Sequence, residues 1–307
     1  MKRWILGLAL ALIWTGPAAA QTADTAPTAQ IVPAVPGQQI YLPTVDETAP
    51  DTEQWNRVFG QVWVRNVSKP SLYPVMPKNG RGNGQAVIIM PGGGFSFVSI
   101  ESEGFWVAER LAAEGYTAFV LKYRPRPTPE APDAFLVQIS REFQALGRVE
   151  ERLDPAADTP VHARDIAYEP AADDLAAAIA LVQSRADEWG LAPDQIGVIG
   201  FSAGAMASIQ LIEDYEEASA LAHVGLIYPP MWLSIEGGPR PDLFFAIAVD
   251  DPLFARNDLS MVQAWLKQSD DVEFHLYSGG GHGFGMRPQG TTSDLWIEQY
   301  LAWLAAR

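Results

Sequence analysis

The chain has 307 residues, and 48% of them are hydrophobic, which is enough for a large domain with a substantial buried core. Its formal net charge of −16 argues against electrostatic binding of negatively charged partners, namely nucleic acid and anionic membranes. The sequence contains no cysteine, so disulfide bonds and thiolate metal sites are excluded and the core must hold the fold together.

Residues 1–20 have the pattern of a secretory signal peptide. Lys2 and Arg3 precede an apolar stretch at 4–14 that is too short to cross a bilayer comfortably, and small residues at 18–20 favour cleavage before Gln21. An uncleaved membrane anchor is the alternative. We expect a bacterial periplasmic or secreted protein without stable membrane insertion after cleavage, which also agrees with a chain that needs no disulfides.

Residues 21–54 are rich in Ala, Thr, Pro and Gln, and we interpret them as a flexible or extended leader. The folded domain is expected at 55–307. Apolar patterns at 58–67 and 71–76 predict a hairpin whose turn is Ser68-Lys69-Pro70.

After residue 85 the chain alternates between apolar strands and amphipathic helices. Strands are predicted at 86–90, 116–123, 196–200, 223–228, 243–249 and 272–277. Helices are predicted at 101–114, 171–189, directly after Ser202, at 258–268 and at 293–305. This order predicts an α/β fold with a mostly parallel central sheet and helices on both faces.

The segment 125–169 interrupts the alternation. It begins with four prolines between 125 and 132, and it contains a predicted helix near 133–152. We interpret it as an insertion that forms a lid over the active site, because insertions at the carboxyl ends of strands lie near the ligand crevice. A surface excursion without substrate contact is the alternative.

Residues 200–204 read Gly-Phe-Ser-Ala-Gly, directly after the strand at 196–200 and before a helix. This is a nucleophile elbow, in which the glycines leave room for a sharp turn and Ser202 is raised to the carboxyl edge of the sheet. An idle serine in a tight strand-to-helix turn is the alternative.

A serine nucleophile needs a base, and the base needs an acid that orients it. The chain has four histidines, of which His282 lies in a glycine-rich loop after the last predicted strand. The acid is expected after the strand at 243–249, where Asp250 is the first choice and Asp251 the second. The order Ser, Asp, His is that of α/β hydrolases.

The loop Pro91-Gly92-Gly93-Gly94 follows the strand at 86–90, where an oxyanion hole is expected. We predict that the backbone N–H groups of Gly93 or Gly94, together with that of Ala203, bind the negative oxygen of the tetrahedral intermediate. No dinucleotide or P-loop motif and no metal-ligand spacing accompanies these glycines, so neither a cofactor nor a metal is expected.

In these motifs the chain resembles the α/β-hydrolase esterases known as the BD-FAE and acetyl-xylan-esterase-like family, over about residues 60–306. The resemblance rests on several short segments in the right order. They are residues 65–72, Pro91-Gly92-Gly93-Gly94-Phe95, Glu103-Gly104, residues 121–124, the elbow at 200–204, Asp250-Asp251, and Gly281-His282-Gly283-Phe284-Gly285. The insertion at 125–169 departs from the family pattern. Glu103 and Arg124 recur with the motifs, and we interpret both as structural.

The resemblance implies a serine carboxylesterase that removes short acyl groups, often acetyl, from carbohydrates derived from plant polysaccharides. The expected partner is therefore a small-molecule or oligosaccharide ester. A serine exopeptidase of the same fold and a binding protein without enzymatic activity are the alternatives. The sequence contains all three triad residue types, which disfavours the second alternative, and it leaves the oligomeric state open.

Overall fold

The computed structural model describes residues 28–35, 37–80, 82–148, 161–257, 259–269 and 271–307. The predicted signal peptide at 1–20, the first part of the leader, and the end of the helix predicted near 133–152 lie outside the described residues.

The described chain alternates between strands and helices. The strands are β1 (Gln30–Ile31), β2 (Ile40–Tyr41), β3 (Gln54–Val58), β4 (Gln61–Arg65), β5 (Ser71–Val75), β6 (Ala86–Met90), β7 (Thr117–Lys122), β8 (Val161–His162), β9 (Ile196–Phe201), β10 (His223–Ile227), β11 (Leu233–Ser234), β12 (Asp242–Ala248) and β13 (Val272–Tyr277). The α-helices are α1 (Trp106–Ala113), α2 (Pro132–Leu146), α3 (Ala163–Ile166), α4 (Glu169–Ser184), α5 (Ala203–Asp214), α6 (Ser260–Leu266) and α7 (Trp296–Ala305). A π-helical turn at Glu101–Phe105 leads into α1.

Within the described residues, eight strands form the central sheet in the order β13-β12-β10-β9-β6-β7-β5-β2. The pairs from β13 to β7 are parallel, and β5 and β2 extend the sheet in antiparallel pairing. Every residue of β6, β7, β9 and β10 is buried, so the layers on both faces cover the sheet. This confirms the predicted α/β class and the mostly parallel sheet.

The predicted hairpin between 58–67 and 71–76 is wrong. β4 instead pairs with β3, and the chain turns at Phe59 and Gly60, which both have positive φ. β5 is not part of this small sheet. It pairs with β7 in the central sheet, where Leu72 lies opposite Leu121. The segment Ser68-Lys69-Pro70 therefore connects two sheets and is not a hairpin turn.

The described part of the leader is extended and lies against the domain. Ile40 in β2 pairs with Leu72 in β5, and Leu42 is buried. The hydroxyl of Thr44 donates a hydrogen bond of 2.7 Å to Asp174 of α4. Part of the predicted leader thus forms one edge of the central sheet.

The last helix, α7, packs on the core with the face that its sequence predicts: Ile297, Tyr300, Leu301 and Leu304 are all buried. None of the helices in the described part of the chain has the length and apolar character needed to cross a membrane.

Candidate active site

Ser202 lies in the turn between β9 and α5, with φ 50° and ψ −112°. The turn is tight because a Cβ added to Gly200 would lie 2.6 Å from the carbonyl oxygen of Gly204, and one on Gly204 would lie 2.0 Å from that of Met90. The backbone N–H of Ser202 donates to the carbonyl of Ile227, at the end of the neighbouring strand β10, at 2.9 Å. The motif therefore folds as the expected elbow, with the hydroxyl at the carboxyl edge of the sheet.

His282 lies in the loop that follows β13. Gly281 and Gly283 on either side have positive φ of 59° and 75°, which lets the loop turn back toward α5. The imidazole Nε2 is 2.8 Å from the Oγ of Ser202, and the side chain keeps 18% of its surface exposed. The structure thus brings together the serine and the histidine that the sequence singles out.

The structure corrects the first choice of acid. Asp251, not Asp250, lies against the imidazole: its Oδ2 and Oδ1 are 2.9 and 3.1 Å from His282 Nδ1. The chain turns after β12, with the N–H of Asp251 bonded to Ala248, and this turn directs the Asp251 side chain inward, where it is buried. Asp250 stays exposed and accepts the N–H of Gly281 at 2.8 Å.

The surroundings of His282 favour its protonated form. Burial by itself would lower the pKa of the imidazole, but the charge and hydrogen bond of Asp251, together with the nearby Glu103, raise the pKa above its usual value. An imidazolium is therefore stabilised at this position.

The glycine loop after β6 lies directly over the elbow. A Cβ added to Gly92 would lie 3.0 Å from the Cβ of Ser202, and one on Gly93 would lie 2.0 Å from the carbonyl oxygen of Phe97. Among the described residues, none accepts a hydrogen bond from the backbone N–H of Gly93, Gly94 or Ala203. These donors are available to a ligand at the serine.

The sequence predicts a structural role for Glu103 at a helix start, but its carboxylate lies at this site. Its carboxylate is buried and accepts the N–H of Gly92 at 2.7 Å and the hydroxyl of Tyr228 at 2.8 Å. The Tyr228 ring packs edge-on against His282, with 5.0 Å between ring centres. In the sequence, the only sign of this role is that Glu103 recurs together with the family motifs.

The insertion at 125–169 contacts the glycine loop in its described part. The N–H of Arg126 donates to the carbonyl of Phe95 at 2.6 Å, and Ser96 donates to Glu142 of α2 at 3.0 Å. The insertion therefore adjoins the predicted oxyanion loop. Arg124, just before it, pairs with the buried Asp174 at 2.8 Å.

The other histidines lie away from Ser202. His275 pairs with Glu273 on β13, and His162 pairs with Glu213. His223 is buried against Tyr300 of α7, and burial lowers its pKa to about 3. In the part of the chain that the structure describes, no group of three or more His, Asp or Glu side chains is arranged to hold a metal ion.

The chain is similar to known hydrolases. The sequence profile of the dienelactone hydrolase family matches residues 73–301, which is well over half of the chain. An acetylxylan esterase of Xylanibacter ruminicola is 22% identical over 272 residues, which cover 77% of this chain and 48% of that protein. The chain thus spans about half the length of this curated relative.

Solved structures share the fold. The acetyl ester-xyloside bifunctional hydrolase of Caldicellulosiruptor lactoaceticus superposes with a TM-score of 0.57 at 20% identity, over 88% of this chain and 96% of that one. The carboxylesterase Cest-2923 of Lactobacillus plantarum gives a TM-score of 0.57 at 18% identity, over 89% and 98% of the two chains. Together with the family match, they confirm the predicted α/β-hydrolase fold.

Proposed function

We propose that this chain, which belongs to the dienelactone hydrolase family and has the α/β-hydrolase fold, is a serine carboxylesterase with the triad Ser202, His282 and Asp251. One observation carries the proposal. The Oγ of Ser202 is 2.8 Å from His282 Nε2, and His282 Nδ1 is 2.9 Å from the Asp251 carboxylate, so the three groups form one hydrogen-bonded chain.

In the first half-reaction, His282 Nε2 accepts the proton of the Ser202 hydroxyl while the oxygen attacks the ester carbonyl. The carbonyl oxygen becomes negative and is bound by the N–H groups of Gly93 or Gly94 and of Ala203. The tetrahedral intermediate collapses when His282 returns its proton to the leaving alcohol oxygen, which leaves an acyl ester on Ser202.

Water then releases the acyl group. His282 removes a proton from the water, the resulting hydroxide attacks the acyl carbonyl, and the same N–H groups bind the second oxyanion. The collapse returns the proton to Ser202 and frees the carboxylic acid. Asp251 keeps the imidazole oriented through both halves and stabilises its charged form without becoming protonated.

The proposed substrate is a short acyl ester, in the first place acetyl, on a carbohydrate derived from a plant polysaccharide. The names of the relatives support this choice, since one is an acetylxylan esterase and another hydrolyses acetyl esters and xylosides. No cofactor or metal is needed for this chemistry, because the backbone N–H groups provide the electrostatic stabilisation.

The test compares Ser202→Ala with the unchanged chain on p-nitrophenyl acetate, with Ser208→Ala as the control. Ser208 lies on α5, which begins directly after Ser202, and its hydroxyl donates to the carbonyl of Gly204 at 2.8 Å rather than to a triad residue. We expect Ser202→Ala to lose at least about 10³-fold in kcat with an unchanged circular dichroism spectrum, and Ser208→Ala to remain active. Retained turnover in Ser202→Ala contradicts the assignment.

The substrate class is tested on the unchanged enzyme. Acetate release from acetylated xylan is measured beside feruloylated xylan, peptide substrates, and p-nitrophenyl butyrate and octanoate. We expect acetate esters to react far faster than octanoate esters. Equal rates would indicate a lipase-like pocket, and faster peptide cleavage would favour the exopeptidase alternative.

We propose further that residues 1–20 direct export and are removed before Gln21. The mass of the protein recovered from the periplasmic or extracellular fraction of an expressing bacterium tests this. A full-length mass, or retention in the membrane fraction, would favour the uncleaved anchor.

A further inference from the structure

The buried carboxyl of Glu103 connects two parts of the site that lie far apart in sequence. It is 6% exposed, its Oε2 accepts the N–H of Gly92 at 2.7 Å, and its Oε1 accepts the hydroxyl of Tyr228 at 2.8 Å. Each carboxylate oxygen thus accepts a hydrogen bond, one from the loop after β6 and one from the residue after β10. The triad and the oxyanion donors described above do not include it.

On the loop side, Glu103 holds the first glycine of the oxyanion loop. Gly92 is packed so closely that an added Cβ would lie 2.9 Å from Glu103 Oε2 and 3.0 Å from Ser202 Cβ. The carbonyl of Gly92 is also bonded, to the N–H of Ser99 at 2.9 Å. The position of Gly92 relative to Ser202 decides where the N–H groups of Gly93 and Gly94 lie.

On the other side, Glu103 holds the ring that supports the base. Tyr228 has a positive φ of 41°, and its ring packs edge-on against His282 at 5.0 Å and against Phe284 at 4.6 Å between ring centres. Its hydroxyl is buried and would lack its acceptor without the Glu103 carboxylate. The Glu103 carboxylate therefore restrains the Tyr228 ring against which the His282 imidazole packs.

We propose that Glu103 is a positioning residue that sets the distance between the oxyanion loop and the His282 ring. This inference rests on the proposed esterase function of the same site. Glu103 acts through Gly92 and Tyr228 and touches no reacting atom, so its effect is on the geometry and the electrostatics of the groups that do.

The charges around Glu103 give this role a measurable signature. The titratable and charged groups that face it in the described chain are Tyr123 directly after β7, Tyr228 after β10, and His282 and Arg287 in the loop after β13. Burial raises the pKa of Glu103, while its hydrogen bonds to Tyr228 and Gly92 and the charges of His282 and Arg287 act in the opposite direction. The Glu103 charge in turn raises the pKa of His282.

Two substitutions separate shape from charge. Glu103→Gln keeps an oxygen for the Gly92 N–H and places an amide toward the Tyr228 hydroxyl, so it removes the charge with little change of shape. Glu103→Ala removes both the charge and the hydrogen-bonding side chain. The matched control is Asp174→Asn, because Asp174 is also a fully buried carboxyl that pairs at a strand end, with Arg124, but does not contact the triad or the glycine loop.

We expect Glu103→Ala to lower kcat on p-nitrophenyl acetate by about 10- to 100-fold with KM nearly unchanged, after normalisation by active-site titration. Glu103→Gln should recover most of that loss. Its kcat/KM should, however, rise at a lower pH than in the unchanged enzyme, because the imidazole loses a neighbouring negative charge that raises its pKa. Asp174→Asn should lower thermal stability without moving the pH profile.

A wild-type kcat in Glu103→Ala together with an unshifted pH profile in Glu103→Gln would overturn the inference and leave Glu103 a structural residue. If Glu103→Ala does not fold, the profile of Glu103→Gln decides alone. The unchanged chain and Ser202→Ala are assayed in parallel: an inactive unchanged chain, or an active Ser202→Ala, refutes the proposed function and not the role of Glu103.

Discussion

Two adjacent carboxylates, Asp250 and Asp251, have different environments after β12. Asp251 is 3% exposed, accepts the N–H of Leu253 at 2.7 Å, and faces the imidazole of His282. Asp250 is exposed and binds the N–H groups of Gly280 and Gly281 in the histidine loop. Asp250 thus supports the loop from outside, and Asp251 is placed to orient the base.

We predict that Asp251→Asn lowers kcat/KM by about 10³- to 10⁴-fold, because the amide neither fixes the correct imidazole tautomer nor stabilises the imidazolium. Any residual kcat/KM should rise with pH at a lower value than in the unchanged enzyme. The sign follows from the pKa of His282, which Asp251 raises and which must be passed before the neutral imidazole can act as a base. Steady-state kinetics from pH 5 to 9 measure both effects.

The control for this prediction is Asp250→Asn, which keeps an oxygen for the Gly281 N–H and should lose less than about tenfold. The reverse ranking, with Asp250→Asn the more damaging of the two, would restore Asp250 as the acid.

At this scale the sequence predicts the residues that a motif specifies and misses those that only folding brings together. Ser202 and His282 each lie in a glycine-flanked loop at a strand end, and the structure places them in contact. The choice between Asp250 and Asp251 depends on the rotation of one turn, which no pattern encodes. Glu103 meets Tyr228 across 125 residues, and its position at a helix start has a sufficient local explanation.

At the scale of elements, one arginine joins the β3–β4 hairpin to the insertion. Arg65 is fully buried at the end of β4, and its guanidinium donates to Asn56 at 2.8 Å, to Thr128 at 3.2 Å and to the carbonyl of Glu130 at 2.8 Å. It also bonds Gln54 and Pro129, and it lies 4.5 Å from the ring centre of Phe135 on α2. The fork of a guanidinium satisfies acceptors in several directions at once.

We predict that Arg65→Lys destabilises the protein by about 2–4 kcal/mol, because an ammonium group cannot reach all of these acceptors and leaves buried oxygens unpaired. Urea unfolding followed by circular dichroism measures the change. The control is Arg57→Lys in the same hairpin, since Arg57 is exposed and its guanidinium donates to the carbonyl of Gly60. Equal stabilities for the two variants would show that the Arg65 contacts contribute little.

The same hairpin shows why element pairing was harder to predict than element type. The strands at 61–65 and 71–75 are present, but the connection between them has the same polar, proline-containing composition as a turn. The true turn at Phe59-Gly60 lacks the usual asparagine or aspartate signal. By contrast, the continuous apolar strands predicted the parallel part of the sheet correctly, because only strands covered on both faces have that pattern.

At the scale of the whole molecule, the central sheet ends in a strand that the leader supplies. Beyond β5, β2 adds an antiparallel pair, and the N–H of Leu42 bonds the carbonyl of Pro70 at 3.0 Å. The Gln39 side chain accepts bonds from Ser71 and from the buried Lys122, each at 3.1 Å. The leader thus covers an edge that would otherwise expose unpaired backbone groups.

We predict that deletion of residues 28–44 lowers the melting temperature by several degrees and causes association that increases with protein concentration. The deletion uncovers the edge of β5, removes the buried Leu42, and leaves Lys122 with fewer partners, and a free apolar strand edge pairs readily with another chain. Differential scanning calorimetry and light scattering over a concentration series measure the two effects. Thr44→Ala is the control, because it removes the hydrogen bond to Asp174 but leaves the edge covered, and it should keep the molar mass of the unchanged protein. A deletion variant with an unchanged melting temperature and molar mass would show that the leader lies on the domain without contributing to its stability.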